Sequence, residues 1–266
     1  MDKESLLREK ERQIYEQMRQ RPRPKQDAPH LSAIFSPGQE TLTYGLGRFH
    51  YLISSFVGLS PYFENWIVVR TQEEQENGNP LEILRNKNEH LSFLRSRGAS
   101  DARFSVSALA TSKQIDNETS LDVTATCNYS GGLEENRFDN ISLGFYTPLE
   151  LHENLTLQEY LSVIRNIVEW REPRMVSVGN SYATYDRVFW NRAWDGWIGW
   201  FPQEINPRVL PDFALTWRIG NGTAVATQKT NVLSRFPDQK EKANELEIAL
   251  VEAGILPTET ELKGDR

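Results

Sequence analysis

Hydrophobic and polar positions alternate one for one in three runs across the middle of the chain. Phe104, Val106 and Ala108 make the first run, Leu121, Val123, Ala125 and Cys127 the second, and Ile141, Leu143 and Phe145 the third. Successive strand side chains point to opposite faces, so this period predicts strands of a sheet with one dry and one wet face. A further alternating run, Phe213, Leu215, Trp217 and Ile219, meets Gly220-Asn221-Gly222 and returns through Thr223–Thr227, which is a hairpin pattern.

Elsewhere the spacing changes to three and four. Leu42, Leu46, Phe49, Ile53 and Phe56 form one apolar stripe, preceded by Ser36 as cap, Pro37 at the first helical position and Gln39 completing a capping box. Gly45 and Gly47 weaken that helix. A second helix is expected from Asn79 and Pro80, with Leu84, Leu91 and Leu94 inward and Gly98 as its stop. The strongest stripe, Leu157, Tyr160, Leu161, Ile164 and Val168, follows a Thr156/Glu159 capping box and cannot extend far past Trp170 because of Pro173. Met175–Val178 and an aromatic segment from Tyr182 to Phe201 come next. A last helix, capped by Asp238 with Glu241, buries Ala243, Leu246, Leu250 and Ala253 and stops at Gly254.

Strands in consecutive groups, with helices before, between and after them, predict an α+β fold built on a largely antiparallel sheet. Residues 1–25 stand apart as a charged helix, with a thin stripe of Leu7, Ile14 and Met18, and a Pro/Arg linker; residues 26–266 read as one α+β domain with a polar C-terminal tail.

Composition narrows the function. No apolar run approaches the roughly 20 residues that span a bilayer, and the start of the chain lacks the apolar stretch of a secretory signal. Cys127 is the only cysteine, which excludes an internal disulfide and, with the charged start, leads us to expect a cytoplasmic protein. A net charge of −7 argues against nonspecific nucleic-acid binding and suits a basic partner.

Candidate chemistry is sparse. His30, His50, His90 and His152 have no partner at ligand spacing, so no metal site is expected. Gly45-Leu46-Gly47 lacks the third glycine of a dinucleotide loop and lies in a helical pattern, and Gly179-Asn180-Ser181 lacks the closing glycine of a nucleophile elbow. No cofactor and no catalytic residue are expected. Pro237-Asp238 with Glu261-Leu262-Lys263 imitates a nuclease signature, but a helix cap and a polar tail do not place those groups on adjacent strands. Cys127 falls on the apolar side of its strand, as a core residue does.

Two features remain. Trp190, Trp194, Trp197 and Trp200 fall within eleven residues and suit a core, a protein hot spot or a sugar-stacking platform. The acidic groups Glu73, Glu74, Glu76 and Glu134, Glu135, Asp139 lie in expected loops, where carboxylates either meet water or face a partner.

Trp194-Asp195-Gly196-Trp197-Ile198-Gly199-Trp200-Phe201-Pro202 resembles the glycine–aromatic block of immunity protein family fifty-two. Leu210-Pro211, the Gly222-Thr223 hairpin, a closing helix from Ala243 to Pro257, and Leu59-Ser60-Pro61 through Trp66 fit the same pattern, so the resemblance covers about residues 40–257. It implies an α+β antidote of bacterial polymorphic-toxin or type VI secretion systems, whose partner is a cognate nuclease toxin. The expected partner contacts are Glu73, Glu74, Glu76, Glu134, Glu135 and Asp139, with Trp194 and Asp195, and no direct nucleic acid or membrane partner. The competing expectations are a hydrolase or carbohydrate-binding protein using Trp190–Trp200, and an adaptor assembled through the N-terminal helix.

Overall fold

The computed structural model describes residues 9, 12, 13, 16, 17, 29–38, 40–60, 63–68, 86–101, 104–111, 122–129, 139–146, 155–180, 186–232 and 236–263. Nine strands form one sheet: β1 (His30–Phe35), β2 (Trp66–Val68), β3 (Phe104–Thr111), β4 (Asp122–Tyr129), β5 (Asp139–Tyr146), β6 (Met175–Gly179), β7 (Gly196–Phe201), β8 (Leu215–Ile219) and β9 (Gly222–Ala226). Their spatial order is β2-β3-β4-β5-β1-β6-β7-β9-β8, and every pairing is antiparallel. The helices are α1 (Leu42–Phe56), α2 (Lys87–Ser96), α3 (Leu157–Trp170), α4 (Pro237–Glu252) and α5 (Glu259–Lys263). The α+β expectation is therefore met.

Period two in sequence becomes the two faces of this sheet. Leu31, Ala33, Phe104, Val106, Ala108, Val123, Ala125, Cys127, Ile141 and Leu143 are all buried on the face that α1 and α3 cover. Cys127 is a core residue there, and burial pushes its thiol up to about 12, so it stays protonated. Phe104 and Tyr129 stack at 4.4 Å under Gly45 of α1, where a Cβ would stand 2.5 Å from the Phe104 ring. The tyrosine hydroxyl donates to the Gly45 carbonyl at 3.0 Å. Glycine is disfavoured inside a helix, and here it is what lets the helix settle onto two stacked rings.

Along the opposite face of β3, β4, β5 and β1 the central positions carry no carboxylate, lysine or arginine. Ser105, Ser107, Leu109, Thr124, Thr126, Asn128, Asn140, Ser142, Gly144, His30, Ser32 and Ile34 occupy its outward positions, half-buried or exposed. Their side chains bond across strands: Ser107 with Thr126 at 3.1 Å, Asn128 to Asn140 at 2.7 Å, and His30 with Ser142 at 2.7 Å.

Helix ends differ from expectation in instructive ways. The capping box at Thr156 and Glu159 forms in full. α1 begins at Leu42 rather than near Pro37, because the Thr41 hydroxyl accepts the Tyr44 amide and Leu42 N donates to Asp101 at 2.6 Å. In α4, Pro237 is the first helical residue, so Asp238 lies inside the first turn and does not cap. The expected polar tail folds instead: Thr258 and Glu261 make a capping box, and α5 follows. The N-terminal segment is helical at residues 9, 12, 13, 16 and 17, with Arg12 donating to Glu9 at 2.7 Å. Leu7, Ile14 and Met18 lie outside the described residues, as do Asn79, Pro80 and Leu84.

Sequence distance hid one pairing. His50 of α1 and His90 of α2 meet at 3.0 Å, Nε2 to Nδ1, and both are buried. Desolvation, helped by Lys87 at His50 and by His50 at His90, lowers each to about 4. The folded state therefore refuses protons that the unfolded chain takes up below about pH 6.5, and stability falls as pH drops from there towards 4. We expect urea unfolding at pH 5 to show a loss of about 4 kcal/mol relative to pH 7, about half from each histidine. His90→Gln should roughly halve that pH dependence, because His50 remains desolvated.

Candidate protein-binding surface

Helix α1 carries two unlike faces. Leu42, Leu46, Phe49, Ile53 and Phe56 point into the core, while Tyr44 and Tyr51, seven residues apart, point outward and are 61% and 69% exposed. Gly47 lies between them on that outer face, three residues from Tyr44 and four from Tyr51. An outward glycine costs a helix about 1 kcal/mol relative to alanine. It leaves a hollow with aromatic walls and a backbone floor.

The neighbouring elements complete this depression of about 770 Å³. Lys87 of α2 and Glu169 and Trp170 of α3 line it with Tyr44, Gly47, Arg48 and Tyr51. Arg48 fixes α1 to α3. Its guanidinium donates to Glu40 and to the Trp170 carbonyl, each at 2.7 Å, lies 4.7 Å from the Trp170 ring centre, and the Trp170 indole donates to the Arg48 carbonyl at 2.8 Å. These reciprocal bonds hold the Arg48–Trp170 side of the depression in place, so little order has to be imposed there when a partner binds.

This is the composition of a protein-contact centre. Interfaces concentrate their energy in tyrosine, tryptophan and arginine, held rigid and open to a partner. The readable signal was aromatic residues at the polar-face positions of an amphipathic helix, which the inward stripe at Leu42–Phe56 overshadowed.

The sequence-derived contacts fare differently. Glu73, Glu74, Glu76, Glu134 and Glu135 lie outside the described residues. Asp139 is not in a loop: it is the first residue of β5, 1% exposed, accepts from Arg171 at 2.7 Å and from the Gly38 amide at 3.0 Å. A carboxylate committed in this way has no face for a partner. Trp194 is fully buried and closes over Gly199, where its ring leaves no room for a Cβ. Trp197 and Trp200 are buried too, their indoles donating to the carbonyls of Gln228 and Ile219 at 3.0 Å each. Sugar stacking needs an open aromatic face, which Trp194, Trp197 and Trp200 do not offer; Trp190 is half-buried.

Asp195 is half-buried and accepts a bond from the Ser177 hydroxyl. It lines a cleft of about 250 Å³ with His30, Ser177, Arg187, Glu259 and Leu262. Serine, histidine and aspartate therefore share a cleft, but the bonds run in two separate pairs, His30 with Ser142 and Ser177 with Asp195. Among the described residues no bond joins the pairs, and a nucleophile–base–acid relay needs that link. No group of three or more His, Cys, Asp or Glu among the described residues is placed to hold a metal ion. Asp238 and Glu261 both sit on helices rather than on adjacent strands. Among the described residues no helix is long and apolar enough to cross a membrane.

No protein-family model matches the chain, and no curated protein matches it. Among solved structures it is similar to a Pseudomonas aeruginosa T6SS protein, at 14% identity and a TM-score of 0.46, over 86% of this chain and 75% of that one. What that protein does is not carried over to this chain.

Proposed function

We propose that this protein is an immunity protein that binds a cognate bacterial nuclease toxin and neutralises it by occlusion, without catalysis of its own. The observation that carries the reading is the exposed pair Tyr44 and Tyr51 flanking Gly47 on α1. It is supported by the sequence resemblance between Leu59 and Pro257 and by the net charge of −7.

The two physical contributions are separable. A nuclease cleft is basic because it holds phosphates, so an acidic partner is drawn to it, which raises the association rate. The tyrosines, once desolvated, set the dissociation rate. Raising salt should therefore slow association while leaving dissociation nearly unchanged, which stopped-flow measurement resolves.

The test of the function itself is growth. Co-expression with the nuclease toxin encoded beside its gene should restore growth to cells that the toxin otherwise kills, and the two proteins should copurify. Continued killing with no complex would overturn the proposal.

A further inference from the structure

We propose that the hollow between Tyr44 and Tyr51 is a socket for a lysine or arginine side chain of a basic protein partner, held in the free protein by its own Lys87. This rests on the preceding reading that the protein acts by binding a basic protein, and it adds which surface and which partner chemistry.

The socket already contains a cation. The Lys87 ammonium stands 2.7 Å from where a Cβ of residue 47 would lie, so any side chain there would displace it. Neither Lys87 nor Glu169 has an ion-pair partner among the described residues, whereas Arg48 is tied to Glu40 and stacked on Trp170. Lys87 is also the first residue of α2, where the positive end of a helix disfavours a cation. It is exposed, so it swings into water at little cost.

An incoming cation would find better company than Lys87 has. The faces of Tyr44 and Tyr51 attract a cation, most strongly a guanidinium, and the Glu169 carboxylate lines the same depression. Arg48 shows that the site tolerates such stacking, its guanidinium lying 6.0 Å from the Tyr44 ring centre. The surplus of acid over base in the whole chain adds a field that favours a positive visitor.

The experiment is a two-dimensional amide NMR titration of the full chain with tetra-arginine and, separately, tetra-glutamate, at about 150 mM salt to suppress diffuse attraction. Tetra-arginine should shift the Tyr44, Gly47 and Tyr51 signals together. Lys87→Ala, by emptying the socket, should strengthen that binding several-fold, and Glu169→Gln should weaken it several-fold. The proposal is overturned if tetra-glutamate is the peptide that shifts these signals and Lys87→Ala abolishes the effect, because the hollow then takes anions. It is also overturned if tetra-arginine shifts only signals remote from α1. Growth rescue reads the immunity function independently, so rescue with a failed titration removes the socket alone, and a positive titration without rescue removes the immunity reading alone.

Discussion

Tyr44→Ala with Tyr51→Ala is expected to weaken toxin binding by roughly two to three orders of magnitude while leaving the fold intact. Both rings are mostly in water, and the Arg48 guanidinium lies 6.0 Å from the Tyr44 ring centre, so their removal should change unfolding stability by about 0.5 kcal/mol or less. An interface centred on them loses two aromatic anchors at once, each worth about 2 kcal/mol when truncated. Val188→Ala with Val209→Ala is the matched control. Those valines are 42% and 44% exposed, lie on other parts of the molecule, and should leave affinity unchanged. Isothermal titration with each double variant checks both statements.

Asp139→Ala is expected to act on stability instead, by about 3 kcal/mol or more in urea unfolding. Its carboxylate neutralises Arg171, whose guanidinium is itself largely buried, lies 5.1 Å from the Phe35 ring centre and also donates to the Ser36 carbonyl. Removing the acid leaves that charge, among the described residues, only the more distant Glu40 carboxylate, 4.0 Å away, and leaves the Gly38 amide without its acceptor. The second change decides the cause: Asp139→Ala combined with Arg171→Met should recover much of the loss, because no buried charge is then left unpaired. Toxin affinity of whatever fraction remains folded should be unaltered. A specific loss of affinity with normal stability would restore Asp139 as a contact.

These two outcomes mark where sequence was informative. β3, β4 and β5 were legible because each has one dry face, so burial writes itself into the sequence as alternation, whereas the β8–β9 hairpin was legible from its Gly220-Asn221-Gly222 turn although all five residues of β9 are buried. α3 was legible for the corresponding reason, with its capping box fixing its start. β7 was harder. All six of its residues are buried, so Gly196–Phe201 reads as an unbroken apolar run instead of an alternating one. The five residues of α5 are too few for a helical period to show, although Thr258 and Glu261 carried its start signal.

The proposed binding surface was less legible than the fold, and the reason is physical. Acidity in a loop and acidity at the start of a strand look alike in one dimension, yet Asp139 is enclosed by Arg171 and Gly38 brought from distant parts of the chain. The tryptophan block drew attention by its density, but density of apolar mass is what a core requires. Gly47 looked like a flaw in a helix; beside Lys87, it is the floor of a hollow. His50 and His90, forty residues apart, gave no local sign of their contact.

Hydrogen–deuterium exchange on the purified complex of this protein with its toxin tests the central claim most directly. The account predicts new protection in peptides covering 41–51 and around Lys87 and Glu169, with no change along the open face of β3, β4 and β5. Protection confined to that open sheet face, with α1 exchanging as in the free protein, would contradict it.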